Sequence, residues 1–379
     1  MTHPISISIS IIGGGPAGFA LAADLATHGH NILIYTHPLH TQHASHVLSA
    51  GHLLSRGVIE GATHPQMTND MDDVVSFSKI IIVTVPSTGQ EDIVGELRGR
   101  DRRGRDLREH TLVVVPGNLF GLVFCGGVLG EDGEGDGKEK RLNVRCVLET
   151  NLSPYSCRMV RGEVSVLGKK NRFSIAPLGG IIDAGLKEEI DAIFPMRLHW
   201  CRNVVEVCLL NINGVFHPLM MLMNAGRIES PDPFLLYHTG LTPSISNAIL
   251  ALDKTRLEIG AALGFHLDSV LDVSNTCYDA QFTNLVDLAR NSKPHNTIEA
   301  PRTFDNRYIT EDVPDLLVPW LVLAGILGVE KVKVRAVVEM AGMAMGRDYG
   351  VEGRGLERLG LVGVERGELS GLRSDDEDL

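Results

Sequence analysis

Cysteine is present but in no arrangement that builds anything: the six residues Cys125, Cys146, Cys157, Cys201, Cys208 and Cys277 show neither a C-x-x-C pair nor a metal-ligand spacing. In a chain of 379 residues that excludes a disulfide scaffold and points to reduced thiols in a reducing, cytoplasmic compartment. Positive charge is scarce too. A formal net charge of -12 argues against a nucleic-acid partner and against an anionic membrane surface. The one basic cluster (Arg98, Arg100, Arg102, Arg103, Arg105, Arg108) alternates with Gly, Asp and Glu and reads as a solvated loop. No secretory signal is expected, because Ile5-Ser-Ile7-Ser-Ile9 alternates like a strand and runs straight into glycines. Nor is any apolar run expected to reach the ~18 residues that cross a bilayer, so no membrane partner is predicted.

What the chain does have begins at once. Residues 5 to 12 read as a strand, followed by Gly13-Gly-Gly15-Pro16-Ala17-Gly18, an Ala/Leu-rich helix from Phe19 to His28, and a second strand from Asn31 to Tyr35. Strand, G-x-G-x-x-G, helix and strand in one βαβ unit form the context that makes this motif informative. Gly13 permits the turn, Gly15 leaves room for a pyrophosphate beside the backbone, and Gly18 lets helix and strand pack closely. The residues after the second strand bear on cofactor choice. Thr36 and His37 stand where an acid would bond the ribose of NAD, so the reading is NADP or NAD with NADP slightly preferred.

Eight histidines between His28 and His64 match no closed zinc pattern and read as a polar loop, so no metal is predicted. Lys79 to Val85 and Thr111 to Val115 repeat the buried parallel-strand pattern, ended by Pro86 and by Pro116-Gly117-Asn118. Strand ends on that side of an open α/β sheet face its ligand crevice, which puts Pro86 and Asn118 among candidate cofactor contacts. For Asn118 a plain turn-forming role is an equal alternative. Gly126 to Lys140 reads as a charged, Gly-rich surface insertion. Val144 to Glu149, Met159 to Leu167 and Arg172 to Ala176 read as further strands, and Leu186 to Phe194 as a helix.

Near Trp200 the pattern changes to long apolar helices: Ser244 to Leu263, Asp268 to Leu271, Asp279 to Ala289, Val313 to Leu327 and Lys333 to Met345. The fold class predicted is α/β: a Rossmann-type parallel sheet domain (1–198), an all-α substrate domain (199–349) and a frayed tail (350–379). Cofactor belongs on the first, substrate mainly on the second.

Two stretches of the helical part stand out. In Asn211-Ile-Asn213-Gly-Val-Phe-His217-Pro218 the proline suits a first helical position and Gly226 a helix stop. His217 is therefore expected at a helix N-cap, where free N–H groups attract an anion and an imidazole can trade protons; a buried histidine capping its own helix is the plainer reading. In Arg307-Tyr-Ile-Thr-Glu-Asp312-Val-Pro314, Asp312 is expected near a helix start, with Arg307 upstream in a loop. Taken singly, Asp312 could be a cap and Arg307 a surface ion-pair residue.

Together these stretches resemble the opine dehydrogenases, the octopine/nopaline dehydrogenase family. The likeness rests on N-x-N-x-x-x-H-P, N-A-G-R-I-E, G-L-T-P-S, A-L-D-K-T-R and R-Y-I-T-E-D-V-P, with P-S-T-G-Q-E-D and E-T-N-L-S-P-Y-S-C-R in the first domain. It runs from about residue 5 to Tyr349. It implies a helical domain like that of 6-phosphogluconate dehydrogenase, and a reaction in which an amino acid condenses with a 2-oxo acid and NAD(P)H reduces the imine. The resemblance makes His217 the acid/base, Asp312 the acid that fixes its tautomer, and Arg307 the clamp on a substrate carboxylate. Asn213, Thr242 and Asn224 stand in matching motifs and are expected to line the substrate site. The implied partners are small molecules, with a homodimer left open. Two other readings remain at this point: a ketone or imine reductase of the wider superfamily (ketopantoate-reductase-like, or a hydroxyacid dehydrogenase), and a non-catalytic NAD(P)-binding redox sensor.

Overall fold

The computed structural model describes residues 6–101, 106–125 and 142–369. The Gly126 to Lys140 insertion, Arg102, Arg103 and Arg105, and the last ten residues of the predicted tail lie outside them. The chain divides into two compact units, with the change at Trp200/Cys201.

The first unit is built on an eight-stranded sheet in the order β12-β11-β8-β7-β6-β1-β2-β5. Its strands are β1 (Ser8–Ile12), β2 (Asn31–Tyr35), β5 (Gln66–Thr68), β6 (Ile80–Val83), β7 (Thr111–Val114), β8 (Cys146–Thr150), β11 (Arg172–Pro177) and β12 (Arg197–Trp200). All neighbours run parallel except β8 and β11. The inner strands are apolar throughout because both faces are covered. In β6, Ile80 and Ile82 point into one core with Phe19, Leu21 and Leu25 of the Pro16–Thr27 helix. Ile81 and Val83 point into the other, with Ile93, Val94 and Leu97 of the Ser87–Asp101 helix.

A second sheet of four strands, β4-β3-β10-β9, uses β3 (Leu53–Gly57), β4 (Gly61–Thr63), β9 (Tyr155–Val160) and β10 (Glu163–Lys169). Two expectations fail here. After the second strand the His-rich segment is no loop, since it folds into a helix (Ala44–Ala50) and the two strands β3 and β4; Leu53 and Ser55 face inward from β3 on a period of two that the histidines obscure. Met159 to Leu167 is not one strand but parts of two antiparallel ones, which turn at Arg161 and Gly162, both with positive φ. Arg98 and Arg100 likewise belong to the last turn of a helix, a favourable place for cations, and Arg100 pairs with Asp70 and Asp72.

The second unit is helical among its described residues, apart from one isolated bridge between Leu235 and Glu299. Helices Val204–Leu209 and Asn213–Leu222 form a nearly continuous stretch that does meet the length and apolarity of a membrane span, contrary to expectation. With 83% of that window buried inside the protein, the stretch is apolar because other helices surround it. Against it lie Pro243–Ala262, a π-helix Val313–Leu317 and its α-helical continuation Val318–Leu327, and Val332–Met345. The A-L-D-K-T-R motif explains itself as architecture. Fully buried Arg256 is held by Asp253 Oδ1 (2.7 Å) and by the carbonyls of Leu209 (2.9 Å) and Asp268 (2.7 Å), so one guanidinium ties three segments. Asp279 to Asn284 is not helical, because Asp279 takes a left-handed conformation and ends Val270–Tyr278; helix resumes at Leu285, capped by Asn284. The stretch after Tyr349, expected to fray, is instead anchored at Arg354, which is buried, pairs with Asp315 (3.4 Å) and donates its backbone N–H to Pro314 (2.9 Å).

Candidate active site

In the first unit, strand register decides which loops are neighbours. Ile12 lies opposite both Tyr35 and Val83, Val83 opposite Val114, and Val114 opposite Glu149. The glycine turn, Thr36 and His37, Thr84 to Pro86, and Pro116 to Asn118 therefore leave the sheet along one edge. Gly13 has φ +132°, and a Cβ at Gly18 would run into the Gly13 carbonyl, so neither position admits a side chain. The Pro16–Thr27 helix starts after Gly15, with proline in its first turn, so the N–H groups of Ala17 and Gly18 have no intrahelical acceptors. Nothing lies within 4 Å of where a Gly15 side chain would begin. The Thr36 hydroxyl is buried beside Gly14 with no hydrogen-bond partner. Asn118 is buried in a left-handed turn, and Glu149 fixes that turn by accepting from the N–H groups of Leu119 (2.9 Å) and Gly121 (2.8 Å).

One premise of the cofactor reading changes. An acid from elsewhere in the chain does stand beside the end of β2: Glu96 accepts from the Tyr35 hydroxyl (2.8 and 2.9 Å) and approaches His37 Nε2 (3.4 Å). Burial, followed by the bond to Glu96, pushes the Tyr35 phenol above its ordinary range.

In the second unit, His217 does not cap a helix. It is an interior residue of Asn213–Leu222, whose N-cap is Ile212, and Pro218 lies inside that helix. The helix begins earlier than the proline suggests because Asn211 Oδ1 receives the Asn213 N–H (3.1 Å) and the preceding helix leads straight in. His217 therefore stands away from the helix N-terminus that would attract an anion. Gly226 is no stop either, being inside a short helix, Ala225–Ile228.

The partners of His217 nevertheless assemble. Its Nδ1 lies 2.7 Å from Asp312 Oδ2, and the two residues are 7% and 5% exposed. Packing sets that distance. A Cβ at Gly214 would stand 2.9 Å from the Trp320 ring and 3.0 Å from Leu316, so only glycine lets the His217 helix settle on the π-helix. Asp312 precedes that π-helix without using its side chain as a cap, which leaves the carboxylate for the imidazole. Tyr308 stacks on the imidazole at 3.9 Å between centroids and 27° between planes. The Tyr237 hydroxyl lies 3.3 Å from Nε2. The sequence marks neither tyrosine as a site residue: Tyr308 lies unremarked inside R-Y-I-T-E-D-V-P, and Tyr237 belongs to no motif.

Arg307 opens a short helix, Arg307–Thr310, rather than lying in a loop. Its backbone carbonyl accepts from Asp312 N–H (3.2 Å), and its exposed guanidinium opposes the rise that burial causes in the pKa of Tyr237 and of Tyr308. Asn213 stands one turn before His217, on the same face. Thr242 does not join this group. It is the N-cap of Pro243–Ala262, its hydroxyl accepting from Ile245 N–H (3.4 Å). Asn224 is likewise structural, donating to the carbonyls of Met220 and Gly240.

Residues 200–345 match the model of the NAD/NADP octopine/nopaline dehydrogenase alpha-helical domain. In its helical unit the chain is similar to the octopine/nopaline dehydrogenases. Residues 8–113 match a second model, that of the coenzyme F420-dependent NADP oxidoreductases, which agrees with the dinucleotide-type first unit. Among relatives, Protein ocs of Agrobacterium tumefaciens (strain Ach5) is 28% identical over 94% of this chain and 96% of its own length. An opine dehydrogenase of Arthrobacter sp. (strain 1C) is 27% identical over 97% and 98%. An octopine dehydrogenase solved with NADH and L-arginine shares the fold at TM-score 0.70, with 17% identity over 98% of this chain and all of that one. His217, Arg307 and Asp312 all fall inside the matched helical domain.

Proposed function

We propose that this enzyme joins the amino group of an amino acid to the carbonyl carbon of a 2-oxo acid and reduces the resulting imine to a secondary amine dicarboxylate. The observation that carries the proposal is the buried His217–Asp312 pair at 2.7 Å, in a domain of the matching family. Attack of the amine on the ketone gives a carbinolamine, whose hydroxyl leaves as water only if it is protonated. Neutral His217 takes up at Nε2 the proton that the substrate ammonium loses on attack and returns it to the leaving hydroxyl, while Asp312 accepts from Nδ1 and stabilises the ring while it is charged. The Tyr308 face shields the imidazole from solvent and limits its tilt. Arg307, at the rim of the same cluster, suits a bidentate grip on a substrate carboxylate.

The residues of the first unit fit a nicotinamide dinucleotide. Support comes from the unpartnered buried Thr36 hydroxyl, the open space at Gly15 and the free N–H groups at the start of the Pro16–Thr27 helix. When bound, the reduced cofactor supplies a hydride. Glu96 beside the β2 terminus disfavours a 2′-phosphate, which favours NADH over the NADPH preference expected from the sequence. Six cysteines without a scaffold or metal-ligand spacing suit a reducing, cytoplasmic setting.

A two-component screen tests the proposal, with NADH and NADPH compared by absorbance. Cofactor oxidation is expected only when an amino acid and a 2-oxo acid are both present, and faster with NADH. Oxidation with a 2-oxo acid alone would make this a carbonyl reductase, and binding without turnover a sensor.

A further inference from the structure

Resting on that reading, one contact of His217 calls for more. With Nδ1 committed to Asp312, Nε2 is the only ring nitrogen that can exchange a proton with a substrate. In the structure it faces the Tyr237 hydroxyl at 3.3 Å. We infer that Tyr237 is a positioning residue, whose hydroxyl donates to Nε2 and holds the neutral imidazole in the Nδ1–H form until substrate arrives.

The surroundings suit that task. Tyr237 is buried, and its ring is fixed by Phe216 (6.1 Å between centroids) and His295 (5.0 Å). His295 is itself anchored to the Ser292 hydroxyl at 2.7 Å. Burial first, and then the neighbouring phenols of Tyr308 and Tyr278, raise the Tyr237 phenol well above its ordinary range, so it is a donor and not a base at any working pH. Among the described residues, the titratable groups recorded against the imidazole are Asp312 ahead of the π-helix, Tyr308 beside the exposed Arg307, and Tyr237. Of these, only the Tyr237 hydroxyl bonds to the lone pair that must take up a proton. A donor on that lone pair favours the neutral ring. Removing it therefore lets the ring protonate at higher pH.

The test is Tyr237→Phe in the full-length chain, which keeps the ring and its packing. Nitrogen-15 NMR of the histidine rings, with the His217 signals assigned by their loss in a His217 variant, follows tautomer and titration without requiring turnover. The Nδ1–H form should dominate in the parent chain. In Tyr237→Phe the His217 titration should move up by about 0.5–1 in pH, the worth of one such hydrogen bond. The same limb of the kcat profile should follow, with kcat lower by about tenfold. An unmoved His217 titration would overturn the inference, even if kcat fell. If the variant does not fold, uniform 3-fluorotyrosine, a stronger donor, should move the titration down, and no movement would again overturn it. Should the parent chain fail to turn over amino acid with 2-oxo acid, the proposed reaction falls, while the NMR result still decides the role of Tyr237.

Discussion

The glycine turn of the first unit and the histidine site of the second are built on opposite principles. The turn is local: six consecutive residues, two of them barred by their own backbone neighbours from carrying a side chain, do the same thing in any βαβ unit. The histidine site is assembled from Tyr237, Tyr308 and Asp312 brought to one imidazole, with the key partner 95 residues away in sequence. One glycine, Gly214, lets the two key segments touch. A local device should fail locally and in binding. An assembled one should fail in chemistry, and at positions that never contact a substrate.

Substitutions can break that contrast. Gly18→Val, which drives a side chain into the Gly13 carbonyl, should cost about 1–3 kcal/mol of stability. It should also weaken cofactor binding by more than roughly tenfold, as read by fluorescence titration of NADH. Undiminished binding would mean that the turn is not where the dinucleotide sits. At the small end, Thr242→Ala removes only a helix cap, so thermal unfolding should show a loss of about 1 kcal/mol while kcat and KM stay as they were. A large rise in KM would return Thr242 to the substrate site.

The same contrast explains what could be read from sequence. β2 is found at its predicted residues, Asn31–Tyr35, because a buried parallel strand declares itself by an unbroken apolar run. The residues of the histidine site were legible as motif positions, but their geometry was not. Pro218 marks a helix start only when nothing upstream nucleates the helix, and here Asn211 and the preceding helix do. Tyr237 and Glu96 carried no local signal, since each matters only through a partner supplied by the fold. Arg354 was hidden by composition: a polar, Gly-rich stretch looks frayed until its one arginine finds Asp315 inside the protein.

The central claim is that proton transfer resides in His217 and is separable from cofactor binding. His217→Ala, assayed for the two-substrate reaction with NADH affinity measured in parallel, addresses it directly. The account predicts a fall in kcat of about 10²–10⁴ with NADH affinity within roughly twofold of the parent. Unimpaired kcat, or a loss explained wholly by weaker NADH binding, would contradict it.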